Sequence, residues 1–154
     1  MLNFAGKIVE AIKFFKDDYE EYSNFYQVEI TYEDFTFDSV EIAFVAAKTK
    51  DRYIRYTLSK LEASDSRKAK LMGRKLKLRE NWEIIKVPTM KKLVDQKFDY
   101  PKFRNKLLSS GDAELIEGNY WHDNFWGDCY CKKCKNIPGQ NKLGKILMKK
   151  RSTL

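Results

Sequence analysis

The sequence predicts a mostly helical α+β domain with a small antiparallel sheet. Three observations carry that prediction. Apolar residues recur at helical spacing through most of the chain after Asp38, repeatedly behind a capping or proline signal. β-branched and aromatic residues alternate with polar ones mainly between Phe25 and Phe37. No internal repeat, low-complexity tract or Pro/Gly-rich linker divides the 154 residues, so 1–154 is expected to be one domain.

The elements follow in order. Phe25–Ile30 and Phe35–Phe37 around Glu33-Asp34 are expected to form a short hairpin. Asp38 is the expected N-cap of the next helix, with Glu41 in the capping-box position and Val40, Phe44 and Ala47 as its apolar stripe, running to about Lys50. A short helix over Ile54–Leu58 and a basic one over Ser66–Leu78 come next, the latter with Leu71 and Leu78 inward. Pro88 suits the first helical position, with Met90, Leu93, Val94 and Lys97 continuing to Phe98. Pro101 repeats the device for a helix carrying Phe103, Leu107 and Leu108 that stops near Gly111. Ala113–Glu117 reads as a short strand. Gly118–Gln140 is a loop, and Asn141–Arg151 is a closing amphipathic helix with Leu143, Ile146 and Leu147 inward.

Bulk properties narrow the function classes. A chain that is 43% hydrophobic and 34% charged is composed like an ordinary globular protein. No apolar run approaches the ~20 residues that span a bilayer, so no membrane association is expected. Met1–Lys16 lacks the apolar core and cleavage site of a secretory leader, and three cysteines make no disulfide framework. Together these predict a cytoplasmic protein. The net charge of +8 is spread over three stretches, which fits a solvated basic surface first and an anionic small molecule or nucleic acid second.

The densest chemistry lies between Tyr120 and Arg151. Trp121, Asp123, Trp126, Gly127, Gly139, Asn141 and Gly144 are the parts of a pocket for a sugar or planar base. Loops longer than about 15 residues in compact domains are usually functional or disordered, and the aromatics favour function. Asp123 between two tryptophans suits ribose hydroxyls or a developing cation. Asn141 fits a helix cap as well as a pocket. Trp82 reads as a core residue or as a stacking platform. Glu41 reads as a capping glutamate or as a carboxylate in a pocket wall. One histidine, His122, rules out mechanisms needing two, and no P-loop, dinucleotide fingerprint or nucleophile elbow occurs. Cys129, Cys131 and Cys134 have zinc-like spacing, but a closed site needs a fourth ligand, which only His122 offers among histidines. With nothing else supporting coordination, the thiols are read as reduced loop residues and no metal or cofactor is assigned.

Read in register, Tyr22-Ser23-Asn24-Phe25, Ser39-Val40-Glu41, Ala47-Lys48, Gly73-Arg74, Trp82, Met90, Lys97-Phe98, Leu107-Leu108, Gly111-Asp112 and Leu115-Ile116-Glu117 form an ordered pattern. With Asp123, Trp126-Gly127, Gly139-x-Asn141-x-Leu143-Gly144-x-x-Leu147-Met148 and Arg151, the chain resembles the NADAR, or YbiA-like, family over about 14–154. The resemblance implies an α+β N-glycosidase acting on ribose-linked substrates, either ADP-ribosylated guanine or early riboflavin-pathway intermediates. It implies Glu41 and Asp123 as catalytic residues, and Asn24, Lys48, Arg74, Trp82, Trp126 and Asn141 as substrate-binding ones. The partner would be a phosphorylated ribose-containing small molecule or an ADP-ribosylated base, with nucleic acid kept as a further candidate. The family commonly carries His after the motif glutamate, where this chain has Ile42. That departure favours the rival reading, a module that binds ADP-ribose or a nucleotide without cleaving it.

Overall fold

The computed structural model describes residues 9–154, so the leader reading of Met1–Lys16 falls partly outside them. The fold is α+β and mostly helical, as the sequence predicts. Its contacts group into two units, one holding the chain up to Ser23 with Pro101–Leu154, the other holding Asn24–Tyr100. Among the described residues no helix is long and apolar enough to cross a membrane.

In the first unit β1 (Ala11–Ile12) leads to a 3-10 turn at Asp17–Tyr22. Tyr22 is fully buried, and its hydroxyl donates to the Lys106 carbonyl at 2.8 Å. That bond satisfies the one polar atom that burying the ring would otherwise strand.

The second unit opens on the predicted hairpin, but the pairing lies further along the chain. β2 (Ile30–Tyr32) pairs antiparallel with β3 (Phe35–Phe37), Ile30 opposite Phe37 and Tyr32 opposite Phe35. Phe25–Glu29 is not strand: past Phe37 the opposite arm turns at once into a helix starting at Val40, so only these three pairs form. Glu33 takes the left-handed conformation at φ 49° that such turns demand. Its carboxylate pairs with the buried Arg55, while Asp34 pairs with Arg52 at 2.5 Å.

α1 (Val40–Ala47) is capped by Ser39, not Asp38: the Ser39 hydroxyl accepts from Ile42 N at 3.2 Å. Ser39 wins because its hydroxyl is also buried against that of Ser66 at 2.7 Å. Asp38 instead accepts from Ala63 N at 2.7 Å. The helix ends at Ala47, short of the expected Lys50, and α2 (Arg52–Ser59) starts behind an Asp51 cap that accepts from Tyr53 N and Ile54 N. α3 (Ser66–Gly73) is shorter than expected and turns Ser66, Ala69 and Gly73 inward. Leu71 and Leu78 are 47% and 45% exposed, reversing the expected face. Small residues win that face because α3 lies against α1: a Cβ on Gly73 would sit 3.1 Å from Val45 Cγ1.

α4 (Trp82–Asp99) begins at Trp82 and runs through Pro88. An interior proline forfeits one backbone bond and costs roughly 3 kcal/mol in an isolated helix. Burial of Trp82 on one side of Pro88, and of Met90, Leu93, Val94 and Phe98 on the other, offsets that cost. Lys97 is also fully buried, its ammonium 5.8 Å from the Tyr26 ring centre and 5.3 Å from that of Phe98.

Back in the first unit, α5 (Pro101–Ser109) starts at its proline and stops just before Gly111, whose φ is 56°. Leu108 is exposed, while Phe103 and Leu107 face inward. β4 (Glu114–Leu115) pairs parallel with β1, and β5 (Gly118–Asn119) pairs parallel with β6 (Asp128–Cys129) inside the predicted loop. The antiparallel hairpin is therefore joined by two short parallel pairs that no local pattern announces. α6 (Lys142–Ser152) closes the chain with Leu143, Gly144 and Leu147 buried and Ile146 half-buried.

Candidate active site and a thiol–histidine cluster

α1 is buried on every side except at Glu41. A helix that is apolar all round belongs in a core, and a lone carboxylate on it faces a desolvation cost that ordinary packing does not require. Glu41 is not the third helical residue, so it completes no capping box; its backbone N–H donates to the Asn24 carbonyl at 3.0 Å. The Asn24 amide donates in turn to Met90 Sδ at 3.5 Å.

Glu41, Phe44 and Lys48 share one face of α1 by helical spacing. Burial pushes the Lys48 ammonium below its ordinary value. The Glu41 carboxylate opposes that shift, while Lys70, Arg74 and Lys86 reinforce it. A Cβ at Gly73 would lie 3.4 Å from Lys48 Nζ, so the glycine lets α3 bring Arg74 close to α1. Lys86 also pairs with Glu83 at 2.5 Å. Lys48 thus feels one carboxylate and three further cations, its own ammonium 5.8 Å from the Phe44 ring centre and Lys70 Nζ 5.9 Å from that of Phe25.

Three residues predicted from sequence, Glu41, Lys48 and Arg74, meet in this cluster, and Asn24 supports it through the backbone. Trp82 is only 5% exposed and packs on Phe44 with ring centres 5.1 Å apart. It is a core residue under the site; a platform for a base needs a free face, which Trp82 lacks. Lys70 and Lys86 escaped sequence reasoning. Lys70 and Arg74 stand four residues apart on one helix, which was the available signal. Ile42 is fully buried, so the position after Glu41 points into the core and away from the carboxylate's face.

The other predicted residues lie in the first unit. Asp123 Oδ1 accepts from Phe125 N at 3.1 Å and Trp126 N at 2.9 Å, fastening the turn that carries Trp126. Trp126 is half-buried and edge-on to Phe125 at 4.9 Å. Asn141 stands at the N-cap position of α6, but its side chain makes no capping bond. It is buried in the left-handed conformation, donating to Leu115 O at 2.9 Å and accepting from Glu117 N at 3.0 Å. The glycines expected to line a pocket bring backbone against backbone instead. Added Cβ atoms at Gly127 and Gly144 would each come within 2.0 Å of a carbonyl oxygen, Glu117 O and Leu115 O. The exposed aromatics of this segment are Tyr120, Trp121 and Tyr130.

The structure also gathers the side chains that spacing left as loop thiols. The His122 ring nitrogen and the sulfurs of Cys129, Cys131 and Cys134 all lie within 4.8 Å of one another. Burial and the neighbouring thiols push the Cys134 thiol up to about 11. Burial would raise Cys129 too, but hydrogen bonds from Cys131 and His122 N–H groups outweigh it and lower its value.

A family model described as the NADAR domain matches residues 13–154. N-glycosidase YbiA of Escherichia coli (strain K12) is 34% identical over 141 residues, covering 90% of this chain and 83% of that protein. The chloroplastic riboflavin biosynthesis protein PYRR of Arabidopsis thaliana is 37% identical over 76 residues, covering 49% of this chain and 12% of that protein. The NMR structure of the E. coli protein YbiA matches with a TM-score of 0.78 at 31% identity, covering 96% of this chain and 86% of that one.

Proposed function

The chain belongs to the NADAR domain family and is an N-glycosidase, a hydrolase acting on N-glycosyl bonds; from that premise we propose that it cleaves the C1′–N bond of a phosphorylated, ribose-linked substrate. The two candidates are an ADP-ribosylated guanine base or nucleotide and an early riboflavin-pathway intermediate. The observation that carries the proposal is Glu41, the one residue of α1 that is not buried, acting on Lys48 alongside Lys70, Arg74 and Lys86.

A C1′–N bond breaks with positive charge developing on the sugar, and a preorganised carboxylate stabilises that charge. In the proposed reaction Glu41 takes a proton from the attacking water as the water oxygen bonds C1′. The C–N pair leaves with the base, and Glu41 returns the proton to the departing nitrogen. Lys48, Lys70 and Arg74 supply charge-assisted hydrogen bonds to the phosphate, each worth about 1.5–3 kcal/mol where water is excluded. A carboxylate and several cations that act on the same lysine suit a substrate carrying both a phosphate and an incipient sugar cation. Asp123 Oδ1 holds the turn that carries Trp126, and the scheme gives it no step.

Incubation with ADP-ribosylated guanine nucleotides and, separately, with phosphorylated riboflavin-pathway intermediates tests the proposal by chromatography of released base and ribose phosphate. Release from one class selects the substrate. Tight binding with no product would replace the proposal with a non-catalytic ADP-ribose or nucleotide-binding module. Affinity only for nucleic acid, falling steeply with salt, would replace it with an accessory nucleic-acid binder.

A further inference from the structure

We propose that His122, Cys129, Cys131 and Cys134 form a closed, four-ligand structural zinc site that pins the loop between β5 and α6. His122 Nδ1 lies 3.3 Å from Cys131 Sγ and 3.4 Å from Cys134 Sγ, and all four ligand atoms fall within 4.8 Å of one another. A tetrahedral ion with Zn–S near 2.3 Å and Zn–N near 2.05 Å has S···N edges of about 3.5 Å and S···S edges of about 3.8 Å. The observed spacing fits such a tetrahedron with small adjustments of rotamer.

Hydrogen bonding among neutral groups explains the cluster less well. Nδ1 has either one proton or one lone pair, so it makes one good bond, yet two sulfurs stand at the same short distance from it. A disulfide would join two sulfurs and strand the third; all three cysteines are free. A dication at the centre satisfies four donors at once. Three thiolates and an imidazole form a soft, closed donor set that selects zinc over magnesium or calcium and leaves no coordination position for substrate.

The backbone prepares the same geometry. His122 is left-handed at φ 70°, a conformation that non-glycine residues rarely adopt, and its ring lies against the sulfurs. Its N–H donates to Cys129 Sγ at 3.3 Å, the kind of outer contact that orients a metal thiolate. The 3-10 turn Lys132–Cys134, with Cys134 N donating to Cys131 O at 3.1 Å, folds the Cys-x-x-Cys pair back on itself. Asn124 Oδ1 accepts from Cys129 N at 2.9 Å and fixes the third thiol. Binding releases the thiol protons and leaves a zinc–thiolate centre of one net negative charge, beside Lys132, Lys133 and Lys135 in the chain. His122 is exposed and Cys131 half-buried, which gives the ion a way in.

The site is independent of the glycosidase reading, and its test uses metal content. Purified protein, reduced and reloaded with zinc, should carry about one zinc per chain by elemental analysis. Cobalt in its place should show thiolate charge-transfer and intense ligand-field absorption of tetrahedral geometry. Cys131→Ser, at a half-buried position, should keep the far-ultraviolet circular dichroism and lose the zinc; Cys134→Ser should lose it too. His122→Ala should weaken zinc binding at least about tenfold while cobalt keeps its thiolate bands. Reloaded protein with under about a tenth of an equivalent of zinc and three reagent-titratable thiols would overturn the proposal. Zinc retained in full by both serine variants would overturn it as well.

Discussion

Glu41→Gln tests catalysis with the least change to architecture, because neither the cap of α1 nor the Glu41 backbone contact uses the carboxylate. The cap is Ser39, the Glu41 contact to Asn24 is made by the backbone N–H, and the amide has the same shape as the acid. What disappears is one negative charge that acts on Lys48. For a half-exposed group, losing such attraction costs about 0.2–1 kcal/mol, within a normal urea-melt comparison. Loss of a general base removes about 10²–10⁴ in rate, or roughly 3–5 kcal/mol of transition-state stabilisation. Base release measured on the substrate identified from the panel should therefore fall by at least about a hundredfold while the urea midpoint barely moves. Phosphate-bearing product should still bind, since the cations remain. A variant that folds and keeps more than about a tenth of wild-type turnover would remove Glu41 from the chemistry.

Three further outcomes follow from the same geometry. Lys48 has its pKa lowered by burial, so between its folded value and its ordinary value the unfolded chain binds more protons and stability rises with pH. The advantage of Lys48→Met over wild type in urea melts should accordingly shrink from neutral pH toward about pH 10, and a constant difference would refute the burial argument. Asn141→Ala leaves Leu115 O and Glu117 N without their partner and should cost about 2–4 kcal/mol, read as a lowered denaturation midpoint; a loss below about 0.5 kcal/mol would show that other groups or water satisfy both. Gly144→Ala drives a Cβ to 2.0 Å from a backbone oxygen and should cost at least about 2 kcal/mol, whereas a melt unchanged from wild type would mean that α6 shifts freely.

Much of this protein is legible in local chemistry. The Glu33-Asp34 turn, the proline opening α5, the glycine beyond its end and the apolar face of α6 each act within a few residues, and each appears in the structure near its expected place. The ordered motifs single out Glu41, Lys48 and Arg74 one by one, and pair Glu41 with Asp123 instead. The meeting of the first three depends on Gly73, whose missing side chain lets α3 approach α1.

Tertiary structure decided the rest wherever two local signals competed or where partners were distant in the chain. Asp38 and Ser39 are equally good caps by residue type; Ser66 Oγ and Ala63 N, more than twenty residues on, assign the cap to one and a loop bond to the other. Leu71 and Leu78 look inward by hydrophobicity, but the helix they belong to must touch α1 through small residues, and they are turned to solvent. Trp82 draws the helix past Pro88 because burial outweighs one lost backbone bond. The parallel pairs of β1 with β4 and β5 with β6 have no turn to announce them, since parallel partners are never adjacent in sequence. By itself the sequence determined which chemistry this chain carries: a glutamate on an apolar helix, scattered cations, three thiols and one imidazole. Only folding decided which of those groups share a field, because electrostatic and coordination energies fall off over a few ångströms in space, whatever the separation along the chain.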